Sequence, residues 1–289
     1  MTAVFLDYDQ SRLDAAYDQT VWASNMQTLL AGYASASAKT RERLGAPRRF
    51  RYGPTAVEEL DVFRASTHRA PTLIFVHGGA WRRGAAADYA FSAETFVAAG
   101  VHYVVLDFAA VTDVGGDLRV LASQVRHAIA WVHGHVHEFG GDSDRLYLAG
   151  HSSGAHLAAV ALTTDWKAEG APARILKGGV LACGMYDLHP VRLSKRSSYV
   201  TFDDDTEAAL SPLRHIEQLS APLVVAWGTN ESPEFIRQGR EFTAAAKAAG
   251  KSVEALVADG CNHFEVMNTF ATAEQLLGRA TLNLIKTRG

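Results

Sequence analysis

Apolar residues fall along this chain in three rhythms. From about residue 10 to 45 they recur at helical spacing: Met26, Leu29, Leu30 and Tyr33 share a face, and Gly45-Ala46-Pro47 is a stop signal. Residues 49–65 then alternate, which predicts a hairpin with Leu60, Val62 and Phe63 in its second strand. Beyond the hairpin come short continuous runs rich in Val, Leu and Ile: PTLIFVHGG, VHYVVLDF, RLYLAGHS, ILKGGVLACG, APLVVAWGT and SVEALVAD. Helix-like stretches lie between most of them, at 87–99, 117–139, 153–166, 232–249 and 271–286. Strands too apolar to face water, alternating with helices, predict an α/β fold: a mostly parallel central sheet flanked by helices. No internal repeat or low-complexity linker interrupts the pattern. Residues 1–289 are therefore expected to form one domain, with about 1–47 as a helical N-terminal cap segment. Ligands in such sheets sit beyond the carboxyl ends of the strands, so the chemistry is sought there.

Composition mainly excludes. With 28 basic and 31 acidic residues the formal net charge is −3, which gives no electrostatic case for nucleic acid or an anionic membrane as partner. The basic cluster Arg41, Arg43, Arg48, Arg49 and Arg51 is broken by Glu42 and reads as a solvated helix end and loop. No uninterrupted apolar run approaches membrane-spanning length. The opening MTAVFLDYDQSRLD lacks a basic region followed by a continuous apolar stretch, so a cytoplasmic location is expected. The two cysteines, Cys183 and Cys261, are then expected to be reduced. The pattern does not decide between a monomer and a homo-oligomer.

Candidate chemistry centres on Gly150-His151-Ser152-Ser153-Gly154. This G-x-S-x-G element follows the strand-like Arg145-Leu146-Tyr147-Leu148-Ala149 and opens a helix-like stretch, the strand–turn–helix setting of a nucleophile elbow. A serine hydroxyl needs a base to take its proton. In hydrolases of this architecture the chain order is serine, acid, histidine. Of the 12 histidines only His263 lies beyond residue 215, in VADGCNHFEV just after the last predicted strand. The acid is expected at the end of the preceding strand, where LVVAWGTNESPEF offers Glu231; Asp187 in ACGMYDLHP is the alternative. Oxyanion stabilisation is assigned to the backbone N–H groups of Gly79 and Ala80 in FVHGGAW, with that of Ser153. Trp22, Trp81, Tyr186 and Phe264 flank predicted loops or the N-terminal segment and are candidate substrate contacts. His133, His135 and His137 point in different directions on a helix and share no metal; Asp203-Asp204-Asp205 reads as a solvated loop. No metal is expected.

The combination HGGAW, GHSSGAHLA, ESPEF and NHF resembles the kynurenine formamidase (arylformamidase) branch of the α/β-hydrolase superfamily, and more distantly hormone-sensitive-lipase-like carboxylesterases. The resemblance runs from roughly residue 10 to the C-terminus. It implies an α/β-hydrolase fold, Ser152 as nucleophile, His263 as base, residue 231 as acid, no cofactor, a small-molecule ester or amide substrate, and an N-terminal segment that helps cover the site. Two positions depart from the family pattern: Glu231 stands where aspartate is usual, and Ser153 where alanine is usual. The function expected is that of a serine hydrolase, arylformamidase-like, with a carboxylesterase as the alternative.

Overall fold

The computed structural model describes residues 2–287. Eight strands form one sheet in the order β1-β2-β4-β3-β5-β6-β7-β8. They span β1 Arg48–Arg51, β2 Glu59–Phe63, β3 Ala70–Val76, β4 His102–Leu106, β5 Gly141–His151, β6 Gly178–Ala182, β7 Leu223–Gly228 and β8 Val253–Ala258. The hairpin expected at 49–65 is β1–β2, antiparallel with Arg48 opposite Val62; β2 also runs antiparallel to β4. From β4 onward every pairing is parallel.

Alternation along the strands feeds two cores. Ile74 and Val76 of β3, Val104 and Leu106 of β4, and Leu146 and Leu148 of β5 enter one core. Their neighbours Leu73, Phe75, Tyr103, Val105, Tyr147 and Ala149 enter the other. A strand buried on both faces has no place for a polar alternate, which is why these segments read as continuous apolar runs. The first core takes the buried faces of α5 (Leu118–His135), α6 (Ser153–Leu162) and α9 (Pro233–Ala248). The second takes those of α3 (Met26–Leu44), α4 (Ala93–Ala98) and α11 (Leu276–Lys286). Short helices complete the chain: α1 Gln10–Ala16, α2 Gln19–Trp22, α7 His189–Leu193, α8 Asp204–Ala209 and α10 Glu265–Asn268.

Several expected boundaries shift for identifiable reasons. The helix predicted at 153–166 ends at Leu162, where the hydroxyls of Thr163 and Thr164 bond back to the carbonyls of Ala159 and Val160. The acidic run expected as a solvated loop instead opens α8. Asp203 caps it by accepting from the Thr206 N–H at 2.6 Å, and Asp204 and Asp205 sit in the first turn, where the helix dipole favours negative charge. His135 stacks on Trp131 with ring centroids 4.3 Å apart, and His137 lies past the end of α5. Cys183 and Cys261 are free thiols.

Phe96 marks how tightly the second core is filled: it is fully buried and stacks on Tyr103 at a 7° interplanar angle with centroids 5.5 Å apart. Phe96→Ala is expected to destabilise the protein by about 3–5 kcal/mol, read as a lowered denaturant midpoint.

Candidate active site

Ser152 stands between the end of β5 and the start of α6 with φ 57° and ψ −123°. Positive φ is costly for a side-chain-bearing residue, about 1–3 kcal/mol, and persists only when its surroundings dictate it. Here they do. The Ser152 N–H donates to the Ala182 carbonyl of β6 at 2.8 Å, and its own carbonyl accepts from the His156 N–H at 3.1 Å. All ten residues of α6 are buried, and a Cβ at Gly154 would collide with the carbonyl oxygens of Val76 and His77. Only glycine at that position lets the helix abut the end of β3.

Glu231 and His263 arrive on the loops after β7 and β8. Both are buried, and His263 Nδ1 donates to Glu231 Oε1 at 2.5 Å. Glu231 Oε2 also accepts from the Gly228 N–H at 3.2 Å, so its longer arm folds back onto the strand end. Because a carboxylate only accepts, the neutral His263 ring carries its proton on Nδ1 and keeps Nε2 as an acceptor. Phe235 and Phe264 meet the ring edge-on at centroid distances of 4.9 and 5.0 Å. Asp187 lies elsewhere: it accepts from the His189 N–H and makes no hydrogen bond to His263 among the described residues. His151 Nε2 donates to the His263 carbonyl at 2.9 Å and ties the elbow to the histidine loop. Burial, and then the neighbouring His263, push the His151 pKa down to about 3, so it remains a neutral strut.

The segment after β3 approaches from the other side. Gly79 adopts φ 126°, Ala80 φ 56° and Trp81 φ 61°, and a Cβ at Gly79 would collide with the Arg83 carbonyl. This bend leaves the N–H groups of Gly79 and Ala80, like that of Ser153, without an acceptor among the described residues. The bend is pinned where the sequence departs from the family pattern. The Trp81 N–H donates to Ser153 Oγ at 3.2 Å, so the serine hydroxyl joins the loop to α6. Val111 N–H closes onto the Trp81 carbonyl at 2.7 Å.

These groups open on one cavity of about 440 Å³, whose wall includes Ser152, His263, Gly79, Ala80 and His151. Of the four aromatic residues expected to contact substrate, Phe264 lines it. The other three do not, which corrects the expectation. Trp22 is 37% exposed on the surface with its indole N–H on the Ala15 carbonyl. Trp81 packs edge-on against His156, and Tyr186 stacks on Phe242 in the core. In their place the wall uses Tyr17, Gln19 and Tyr33 from the N-terminal helices and Arg196 from the turn after α7. None carries a local signature; Lys195-Arg196 looks like any exposed basic pair.

The N-terminal segment is fastened to both loops that carry the buried pair. Ser232 Oγ donates to the Ala16 carbonyl at 2.6 Å, and Tyr17 Oη donates to Glu234 Oε2 at 2.9 Å while accepting from Gln238. On the other loop Asn262 donates to Asn25 Oδ1 at 2.8 Å, Asn25 donates to Glu265, and Tyr33 Oη donates to the Phe264 carbonyl.

His151, Cys183 and His263 bring ligand-type atoms within 4.8 Å of one another, the one such group among the described residues. His263 Nδ1 is engaged on Glu231 and His151 Nε2 on the His263 carbonyl, and burial, reinforced by Glu231, holds the Cys183 thiol protonated. Among the described residues no helix is long and apolar enough to cross a membrane.

The sheet order and the turn between β5 and α6 are those of the α/β-hydrolase fold. A family model described as BD-FAE matches residues 60–175. Over nearly its whole length the chain is similar to the kynurenine formamidase of Danio rerio, 29% identical over 293 residues and covering 96% of each. It is also similar to esterase LipC of Mycobacterium tuberculosis, 30% identical over 228 residues, 71% of this chain and 56% of that protein. A solved structure from Silicibacter sp. TM1040 superposes with a TM-score of 0.82 at 22% identity, covering 95% of this chain and 98% of the other. Esterase B from Lactobacillus rhamnosis superposes at 0.67 with 16% identity, covering 92% and 95%.

Gly154→Ala is expected to force α6 away from β3. Thermal unfolding should show a loss of about 3 kcal/mol, and activity should fall with it because Ser152 sits at the displaced end.

Proposed function

We propose that this protein is a serine hydrolase that transfers the acyl group of a small amide or ester to Ser152, and that it is arylformamidase-like, hydrolysing N-formyl aromatic amines. The observation that carries the reading is a convergence. Ser152 in its strained turn, the hydrogen-bonded His263–Glu231 pair and the unpaired N–H groups of Gly79 and Ala80 share one cavity. In the cycle, Ser152 Oγ rotates onto His263 Nε2, gives up its proton and attacks the carbonyl carbon. The hydrogen bond is not yet made here: Ser152 Oγ has no partner among the described residues, as is common before substrate binds. Charge developing on the carbonyl oxygen is met by the N–H groups of Gly79, Ala80 and Ser153, aided by the N-terminus of α6. His263 then protonates the leaving amine or alcohol. The same ring activates the water that frees the acid and restores Ser152. Glu231 holds the Nδ1 tautomer and stabilises the imidazolium.

The arylformamidase reading is favoured over a general esterase by the full-length similarity to kynurenine formamidases and by the cavity. A formyl group needs almost no acyl pocket, and a wall containing Met26, Leu30, Tyr33 and Phe264 suits one aromatic ring. The similarity to esterase LipC supports the alternative, a carboxylesterase acting on small acyl or aryl esters with the same machinery. We place the protein in the cytoplasm, in keeping with its two free thiols.

Measured kcat/KM on N-formylkynurenine should exceed that on p-nitrophenyl acetate; an ester preference of several orders of magnitude would replace the formamidase reading by the carboxylesterase one. Ser152→Ala should remove turnover by roughly 10⁴–10⁶-fold with the fold intact by circular dichroism. Glu231→Gln should lower kcat by about 10³–10⁴-fold, far more than Asp187→Asn; the reverse order would move the acid to β6.

A further inference from the structure

Arg196 is the one arginine among the buried polar residues described, at 6% exposure, and it has no carboxylate partner. Its Nη1 donates to Tyr199 Oη at 3.0 Å and its Nη2 to the Tyr17 carbonyl at 3.1 Å, both neutral acceptors; Nε is buried without a partner. The guanidinium carbon lies 5.4 Å from the Trp81 ring and 6.0 Å from that of Tyr17. Other arginines with strongly shielded side chains are ion-paired: Arg237 holds Glu234 and Glu241, and Arg41 holds Asp61. A buried guanidinium without a counter-ion is costly, and three of its five donors are still unspent. In the same cavity wall, Gln19 is 9% exposed, and both its amide oxygen and its amide nitrogen are buried without partners. Two polar side chains that line one cavity thus have unspent hydrogen-bonding capacity, and both lie outside the machinery that acts on the carbonyl.

We propose that Arg196, assisted by the Gln19 amide, is a specificity subsite for a carboxylate carried by the larger, leaving part of the substrate. The inference rests on the hydrolase reading above. A single guanidinium fork with a neutral amide in the same wall matches the planar, singly charged carboxylate. A dianionic phosphate fits less well, because Asp14, Asp18 and Asp88 share the cavity wall with Arg82, Arg83 and Lys195. Asp18 feels the charge of Arg196 but forms no ion pair with it; its carboxylate accepts instead from the Thr20 N–H and hydroxyl at 3.0 and 2.7 Å. The substrate carboxylate would supply the missing counter-charge where burial makes a charge-assisted hydrogen bond strongest.

The test uses two esters that differ only in charge, 3-carboxyphenyl acetate and 3-carbamoylphenyl acetate, on the full chain. The wild type should favour the carboxylate by about 10–100-fold in kcat/KM, the difference lying in KM. Arg196→Gln should collapse that ratio toward one, and Arg196→Lys should keep part of it. Gln19→Leu, which leaves the hydrogen bonds of Arg196 to Tyr17 and Tyr199 in place, should reduce the ratio severalfold and serves if Arg196→Gln fails to fold. No preference in the wild type overturns the subsite, as does an equal loss on both esters in Arg196→Gln. Inactivity of the wild type toward both esters and toward N-formylkynurenine would instead count against the hydrolase reading.

Discussion

The end of α6 abuts the end of β3, and much of the site depends on that contact. Helix and strand approach so closely that residue 154 has no space for a side chain, and the chain between them is forced through a backbone geometry that residue 152 would not choose. The strain at Ser152 is balanced by burial of the whole helix and by hydrogen bonds to β6 and His156. From that junction the other parts are placed in turn. His151 reaches across to the His263 carbonyl, Ser153 takes the Trp81 N–H, and each bond fixes a loop whose own sequence would leave it free.

A second layer depends on the N-terminal helices. They enter both cores through Leu13, Tyr17, Met26 and Tyr33, and several of the bonds that hold them fall on the two loops bearing Glu231 and His263. The Asn25–Asn262–Glu265 cluster brackets His263 with side-chain hydrogen bonds. The segment that encloses the cavity therefore also braces the loops of the proposed acid and base.

Sequence pattern reveals much of this scaffold and little of its wall. The strands were legible because burial on both faces leaves a continuous apolar run. Ser152, His263 and Glu231 stand out as candidates in the sequence because each follows a strand in a short, locally recognisable context. The assignment of Trp22, Trp81 and Tyr186 to the cavity failed because nearness in sequence to a site says nothing about which way a large side chain packs. Arg196 and Gln19 were missed for the converse reason. Arg196 is held by a hydrogen bond to Tyr17 that spans most of the chain, Gln19 has no side-chain hydrogen bond at all, and no local motif encodes either position. The acidic run at 203–205 was misread because three like charges resemble a solvated loop until the N–H of Thr206 makes the first of them a helix cap.

The hydroxyl of Ser153 has a wider consequence. By accepting the Trp81 N–H it couples the glycine loop to the turn that carries the proposed nucleophile, so the proposed attacking atom and the amides proposed to stabilise charge belong to one mechanical unit. The cavity wall, supplied by the N-terminal helices and the turn bearing Arg196, belongs to another. Such a division lets the two be altered at different rates over evolutionary time. Drift in the wall can change which molecule is admitted, while the unit beneath it continues to perform the same bond cleavage.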